Sequence, residues 1–166
     1  MTRKMMLAAA LLTLFVVALA GTRKANAAPP KDACSLLTPV QVSGVLGVPA
    51  AGRSLGPKTC MWVQTGVKPG SPRRRADLLM LEMQGFVQAS AVAKMPNSPT
   101  SATPVSGLGD DAYYLSMTSG RPYTELRVKK GSVAFGIRVE SSGTPFTADQ
   151  IKAKEKTLAQ DVLANL

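Results

Sequence analysis

The chain has 166 residues, two cysteines, no histidine and a formal net charge of +10. That length allows one domain with a real hydrophobic core. Without histidine, serine or cysteine nucleophiles lack their usual base, and two thiols alone make a poor zinc site. The positive balance favours acidic partners or an anionic surface without naming a ligand, and no nucleic-acid recognition module is visible.

Residues 1–27 read as a signal peptide. Arg3 and Lys4 form a basic start, Met5 to Ala20 is apolar and uncharged, and Ala25-Asn26-Ala27 supplies the small-x-small cleavage pattern. The apolar run is short for an uncleaved anchor, so no membrane span is expected to remain. Cys34 follows Pro-Lys-Asp-Ala and lacks a lipobox. Cleavage after Ala27 leaves 139 residues, 28–166, as a single domain in the periplasm or outside the cell. Arg3, Lys4, Arg23 and Lys24 depart with the leader, which lowers the balance to +6. In an oxidising compartment Cys34 and Cys60 are expected to form one disulfide. A metal site or a redox pair is the weaker alternative, because the spacing is not C-x-x-C.

After a loose leader to Asp32, Thr38-Pro39-Val40-Gln41 is a helix start. Thr38 is the N-cap, Pro39 the first helical residue and Gln41 completes a capping box, with Leu37 and Val42 as the staple. Gly47 stops the helix in a left-handed conformation. Residues 52–58 read as a connector and Thr59 to Thr65 as a strand with Cys60 and Trp62 on one face. Trp62 reads as packing, with a ligand platform as the alternative. Residues 66–75 form a hairpin loop carrying Lys68, Arg73, Arg74 and Arg75. Asp77 to Gln84 is an inner strand, covered on both sides.

Phe86 to Met95 is a short helix with Val87 and Ala91 or Val92 inward. Pro96 to Pro104 is a loop by composition, either idle or a lid. A β-meander follows: Asp111 to Met117, a turn at Ser119-Gly120-Arg121-Pro122, Tyr123 to Lys129, a tight Lys130-Gly131 hairpin, and Ser132 to Glu140. Alternation puts Leu126, Val128, Val133, Phe135, Ile137 and Val139 inward and leaves Glu125, Arg127, Lys129, Arg138 and Glu140 facing water. Thr147 and Gln150 form a second capping box, and the last helix runs to about Leu163. Ile151, Leu158, Ala159, Val162 and Leu166 form its apolar stripe, with Lys152, Lys154, Glu155 and Lys156 on the wet side. The order is α-β-β-α-β-β-β-α. The fold class is α+β, with about three helices on a mostly antiparallel sheet of about five strands.

No catalytic residue stands out. Asp110 and Asp111 are adjacent and point opposite ways on an extended chain, so they do not make an acid/base pair. Asp110 is expected to bond amides in its own turn. Gly107 and Gly109 precede a strand, which is the wrong context for a dinucleotide site, and no calcium loop spacing occurs, so neither metal nor cofactor is expected. Arg73, Arg74 and Arg75 are the sharpest surface feature. Three guanidiniums on a hairpin tip suit phosphate, sulfate or carboxylate groups, while a solvated loop is the plainer alternative.

Several segments resemble a family of exported bacterial proteins of unknown function, often lipoproteins. They are Asp32-Ala33-Cys34-Ser35-Leu36-Leu37-Thr38, Cys60-Met61-Trp62, the Val105 to Tyr113 stretch containing Gly107-Leu108-Gly109-Asp110, and the strand after Lys130-Gly131. Such proteins are similar to the PsbP-like α/β/α superfamily, whose members mostly bind or assist other proteins. The resemblance implies a PsbP-like architecture and carries no catalytic residues. Against that pattern the second helix looks truncated. The expected function is therefore a non-catalytic accessory or binding protein of the cell envelope, with an envelope protein or an anionic surface as partner. The alternative is a small-ligand binder for lipids or metabolites, closing the 96–104 loop over Trp62, Tyr113 or Tyr114.

Overall fold

The computed structural model describes residues 32–117, 123–143 and 146–166. The signal-peptide reading of 1–27, its cleavage point and the turn at 119–122 lie outside the described residues.

Local sequence dictates the helix ends. Helix α1, Pro39–Leu46, begins at Thr38, whose backbone N–H donates to Gln41 Oε1 at 2.9 Å while Gln41 N–H donates to Thr38 Oγ1 at 3.3 Å. Gly47 ends it at φ 70°, where a side chain would be strained. Helix α3, Ala148–Ala164, repeats the reciprocal cap with Thr147 and Gln150. Between them lie β1 (Ala50–Ser54), β2 (Thr59–Gln64), β3 (Arg74–Leu81), α2 (Met83–Ala93), β4 (Thr100–Pro104), β5 (Asp111–Met117), β6 (Thr124–Lys130) and β7 (Val133–Ser141).

The strands make one antiparallel sheet of seven in the order β1-β2-β3-β7-β6-β5-β4. Among the described residues the fold is thus α+β with three helices, and the expected five strands become seven. The two extra strands are the sheet edges. Strand β1 takes in residues 52–54 of the expected 52–58 connector, and β4 occupies Thr100–Pro104 of the expected 96–104 loop. Neither reads as a strand alone: β1 is Ala-Ala-Gly-Arg-Ser, and β4 is a short polar run closed by proline. Pairing to one neighbour supplies what their propensities lack.

Residues opposite one another in the ladders share a face. The rows Gly52–Trp62–Ala76–Val139, Cys60–Leu78–Ile137–Leu126–Tyr114 and Met80–Phe135–Val128–Ala112 lie under α1 and α3 and form the main core. The Cys34–Cys60 disulfide, with Cα atoms 4.9 Å apart, ties the turn before α1 to that core. On the other face α2 lays Phe86 against Tyr113, Leu115 and Ala134 and makes a second, smaller cluster. Val87 and Val92 do not point inward: they are 59% and 49% exposed, and Phe86 is the anchor. The helix starts earlier than expected because Leu81 ends β3, and Met83 already belongs to α2. That earlier start shifts the buried stripe onto Phe86, Ala89 and Ala93.

Helix α2 lies over β4, β5 and the neighbouring end of β7. Beyond it, among the described residues no helix lies over this face of β2, β3 and β7, so β3 is covered on both sides only toward its Leu81 end.

Candidate anion-binding cleft on the open sheet face

Strand alternation separates the three arginines. Arg74 and Arg75 belong to β3 rather than to a hairpin loop, and Arg73 immediately precedes the strand. Arg73 is exposed, and its backbone is fixed by Ser142, which donates from its N–H to Arg73 O at 2.9 Å and accepts from Arg73 N–H through Oγ at 2.9 Å. Arg74 turns to the helix side. Its Nη1 donates to Leu46 O at 2.8 Å and its guanidinium lies 4.7 Å from the Phe146 ring centroid. Lys154 also contacts that ring, at 4.6 Å, and donates to Val45 O. Arg74 is therefore a clamp on the end of α1, and the three guanidiniums do not form one cluster.

Arg75 returns to the open face and enters a charge ladder. Its Nη2 lies 3.0 Å from Glu140 Oε2 and 3.4 Å from Asp77 Oδ2. Arg138 Nη2 reaches Asp77 Oδ2 at 2.9 Å, and its Nε reaches Glu140 Oε1 at 3.4 Å. The register explains the pattern, because Arg75 is directly opposite Glu140 and Asp77 opposite Arg138. One strand further on, Arg127 Nε donates to Glu125 Oε1 at 2.7 Å. Glu125 leans over Gly136, where a Cβ would meet its Oε1 at 2.7 Å. The outward face expected to be simply wet is a half-buried ionic lattice, with Asp77 and Glu125 each only 6% exposed.

At the end of this ladder a cleft of about 350 Å³ opens between Met61, Val63, Arg73, Arg75, Glu140, Ser141 and Ser142. Met61 and Val63, two apart on β2, supply an apolar floor. Two guanidiniums face one carboxylate, so the cleft carries an excess positive charge. Arg75 Nε is buried and has no hydrogen-bond partner among the described residues. A broader depression of about 510 Å³ along α1, lined by Pro39, Val40, Ser43, Gly44, Gly47, Val48 and Pro49, holds no ionisable side chain and offers little to orient a ligand.

The aromatic candidates do not converge. Trp62 is 1% exposed in the core beneath α1. Tyr113 lies on the opposite face, where its hydroxyl donates to Phe86 O at 2.6 Å and burial raises its pKa. Tyr114 packs under α3. Its hydroxyl donates to Lys152 O at 2.8 Å, and burial, with the nearby Glu155, pushes its pKa up to about 12. Asp110 does not bond its own turn: its Oδ2 accepts from Gly131 N–H at 2.6 Å and joins two loops. Among the described residues no three His, Cys, Asp or Glu side chains gather as a metal site.

Glu155, expected on the wet side of the last helix, is instead turned into the core. It is fully buried on α3, and its Oε1 accepts from Val139 N–H at 3.1 Å. That amide lies just past the last β6–β7 pair, Leu126–Ile137, so the carboxyl takes the place of a strand partner. Oε2 has no partner among the described residues. Burial raises the pKa to about 8, against the lowering effect of the Val139 N–H. The only trace in the sequence is an acidic residue on the Ile151–Leu158 side of an amphipathic helix. Sequence reasoning missed the cleft partners Met61, Val63 and Ser142, which only strand pairing brings to Arg73 and Arg75.

No family model, no curated protein and no solved structure matches this chain.

Proposed function

We propose that this protein is a non-catalytic, extracytoplasmic binding module of the cell envelope that engages its partner through the open half of the sheet. The observation that carries this reading is the half-covered face. Helix α2 closes one end, and the rest presents an ordered lattice of side chains around a positively biased cleft. A sheet face whose side chains are already held by cross-strand ion pairs loses little entropy on binding. The Cys34–Cys60 disulfide and the signal-like first 27 residues support export. The lack of histidine, with both cysteines in the disulfide, supports a binding rather than a catalytic role. We further propose membership of the exported, PsbP-like family that the Asp32–Thr38, Cys60–Trp62 and Val105–Tyr113 segments resemble.

The test is retention of envelope components on the immobilised protein at low and high salt, beside an Arg73→Ser variant. Retention that falls with salt and with the substitution is expected. An empty eluate, or one indifferent to both changes, sinks the reading.

A further inference from the structure

Resting on the reading that the open face is the binding surface, we infer that the cleft takes a single carboxylate carried on an extended, otherwise apolar segment of a partner polypeptide. The charge balance selects a monoanion. Arg73 and Arg75 against Glu140 leave one positive charge to neutralise, and a phosphate monoester, nearly dianionic, would overshoot it beside Glu140.

Geometry selects a carboxylate. Arg75 already holds Glu140 at 3.0 Å through Nη2, so the guanidinium is oriented by a group of the same kind, and its buried Nε has no partner among the described residues. The Arg73 side chain has no partner among the described residues. It is two positions from Arg75 along an extended backbone, about 7 Å away, close enough for both to reach one incoming group.

The floor selects an apolar carrier. Met61 and Val63 lie two apart on β2 and are both half-buried, the spacing at which an extended peptide presents alternate side chains. A lipid surface fits less well. The large exposed hydrophobics Val40, Leu55, Val87, Val92 and Met95 all lie outside the cleft, so among the described residues no large exposed apolar side chain beside the arginines is placed to insert into a bilayer.

Amide shifts of the ¹⁵N-labelled protein, disulfide intact, test this by titration with an acetylated, amidated Val-Glu-Val peptide. The Val-Gln-Val analogue, sodium octanoate and inorganic phosphate are run beside it. The expected result is saturable shifts at Val63, Arg75 and Ser142. Affinity should fall about tenfold with Arg73→Ser or with the Gln peptide, and recover in part with Arg73→Lys. The spectrum away from the cleft should be unchanged, which separates lost binding from lost folding.

Binding indifferent to Arg73→Ser, equal binding of the Gln peptide, or no shifts with the peptide overturns the proposal. Phosphate acting as tightly at the same amides overturns the carboxylate assignment, and octanoate binding where the peptide does not overturns the polypeptide carrier. If the peptide fails while envelope retention still depends on Arg73, the ligand class is wrong and the binding-module reading stands. If the peptide binds and nothing is retained from the envelope, the site stands and the module reading falls.

Discussion

Arg74 Nη1 donates to Leu46 O at 2.8 Å, joining the start of β3 to the last residue of α1. Helix C-termini leave carbonyls without intrahelical donors, and a cation there is favoured by both the hydrogen bond and the helix dipole. Lys154 does the same for Val45 O, and Phe146 stacks against both cations. Burial and the charge of Arg74 together lower the Lys154 pKa, so the two cations repel each other and rely on the ring and the carbonyls. Arg74→Ala is therefore expected to cost about 2 kcal/mol, the size of a charge-assisted bond plus a cation–π contact. Arg73→Ser, at an exposed side chain, should stay within about 0.5 kcal/mol of the native protein. Urea unfolding of the two variants checks this. Equal losses would mean that Arg74 does not hold the helix.

Three adjacent arginines thus divide into a structural residue and two cleft residues, and that division marks how far the sequence could be read. Capping boxes, the left-handed Gly47 and the inward-facing residues of β6 and β7 follow from local spacing and appear as expected, whereas Glu125, expected to face water, is buried. Strands β1 and β4 do not, because their pairing is with distant sequence and their own residues are small or polar. The cleft was legible only in part. The arginines signalled an anion site, but which side of the sheet each one faces depends on where β3 begins. A shift of one residue would exchange Arg74 with its neighbours. Glu155 was illegible for another reason: its partner is a backbone amide, and amides leave no trace in a sequence.

Glu155 makes stability depend on pH. Its carboxyl is raised to about 8 from an ordinary 4.5, chiefly by burial, so the folded state keeps its proton where the unfolded chain has lost it. Its contribution is intact below about pH 4.5 and falls as pH rises toward about 8, because the folded state binds more protons across that window. The groups facing it are Tyr114 from β5, Lys152 on its own helix, and the charges of Glu125 and Arg138 through the sheet. Glu155→Gln keeps an acceptor for Val139 N–H and cannot ionise. The variant should melt higher than the native protein at pH 8–9, by several degrees, and lose the downward slope between pH 5 and 8. Melting temperatures across that range check it, and parallel curves for the two proteins would contradict it.

The disulfide spans 26 residues and closes a loop holding α1, β1 and the first part of β2. In the chain-entropy account a loop of that size contributes on the order of 3–4 kcal/mol. Cys34 also sits where Asp32 Oδ1 accepts its N–H at 2.9 Å, and Ala33 N–H donates to Pro57 O at 3.0 Å, so the turn has some order without the bridge. Replacing both cysteines by serine is expected to lower the unfolding free energy by about 3 kcal/mol while the chain still folds. Denaturant titration of the oxidised protein and the double variant checks this, and coincident transitions would mean that the bridge is idle.

The Gly107-Leu108-Gly109-Asp110 stretch owes its glycine at 109 to two constraints that act together. Its backbone is left-handed, at φ 57°, and a Cβ there would run into the carbonyl oxygen of Lys129. Asp110 N–H donates to that same oxygen at 2.8 Å, and Asp110 Oδ2 takes Gly131 N–H at 2.6 Å, so the turn is clasped to the β6–β7 hairpin from both sides. Leu108, 2% exposed, plugs the core beneath the clasp. Since the obstacle is backbone, it cannot rotate away, and Gly109→Ala must either open the clasp or distort the hairpin. The expected cost is about 2–3 kcal/mol, more than the roughly 1 kcal/mol of an unobstructed left-handed alanine. Gly107→Ala supplies that comparison, because its φ is 77° and its Cβ meets nothing within 4 Å. Thermal or urea unfolding of the pair checks the ordering. Equal destabilisation would show that conformation alone, and not the approach of Lys129, requires glycine at both positions.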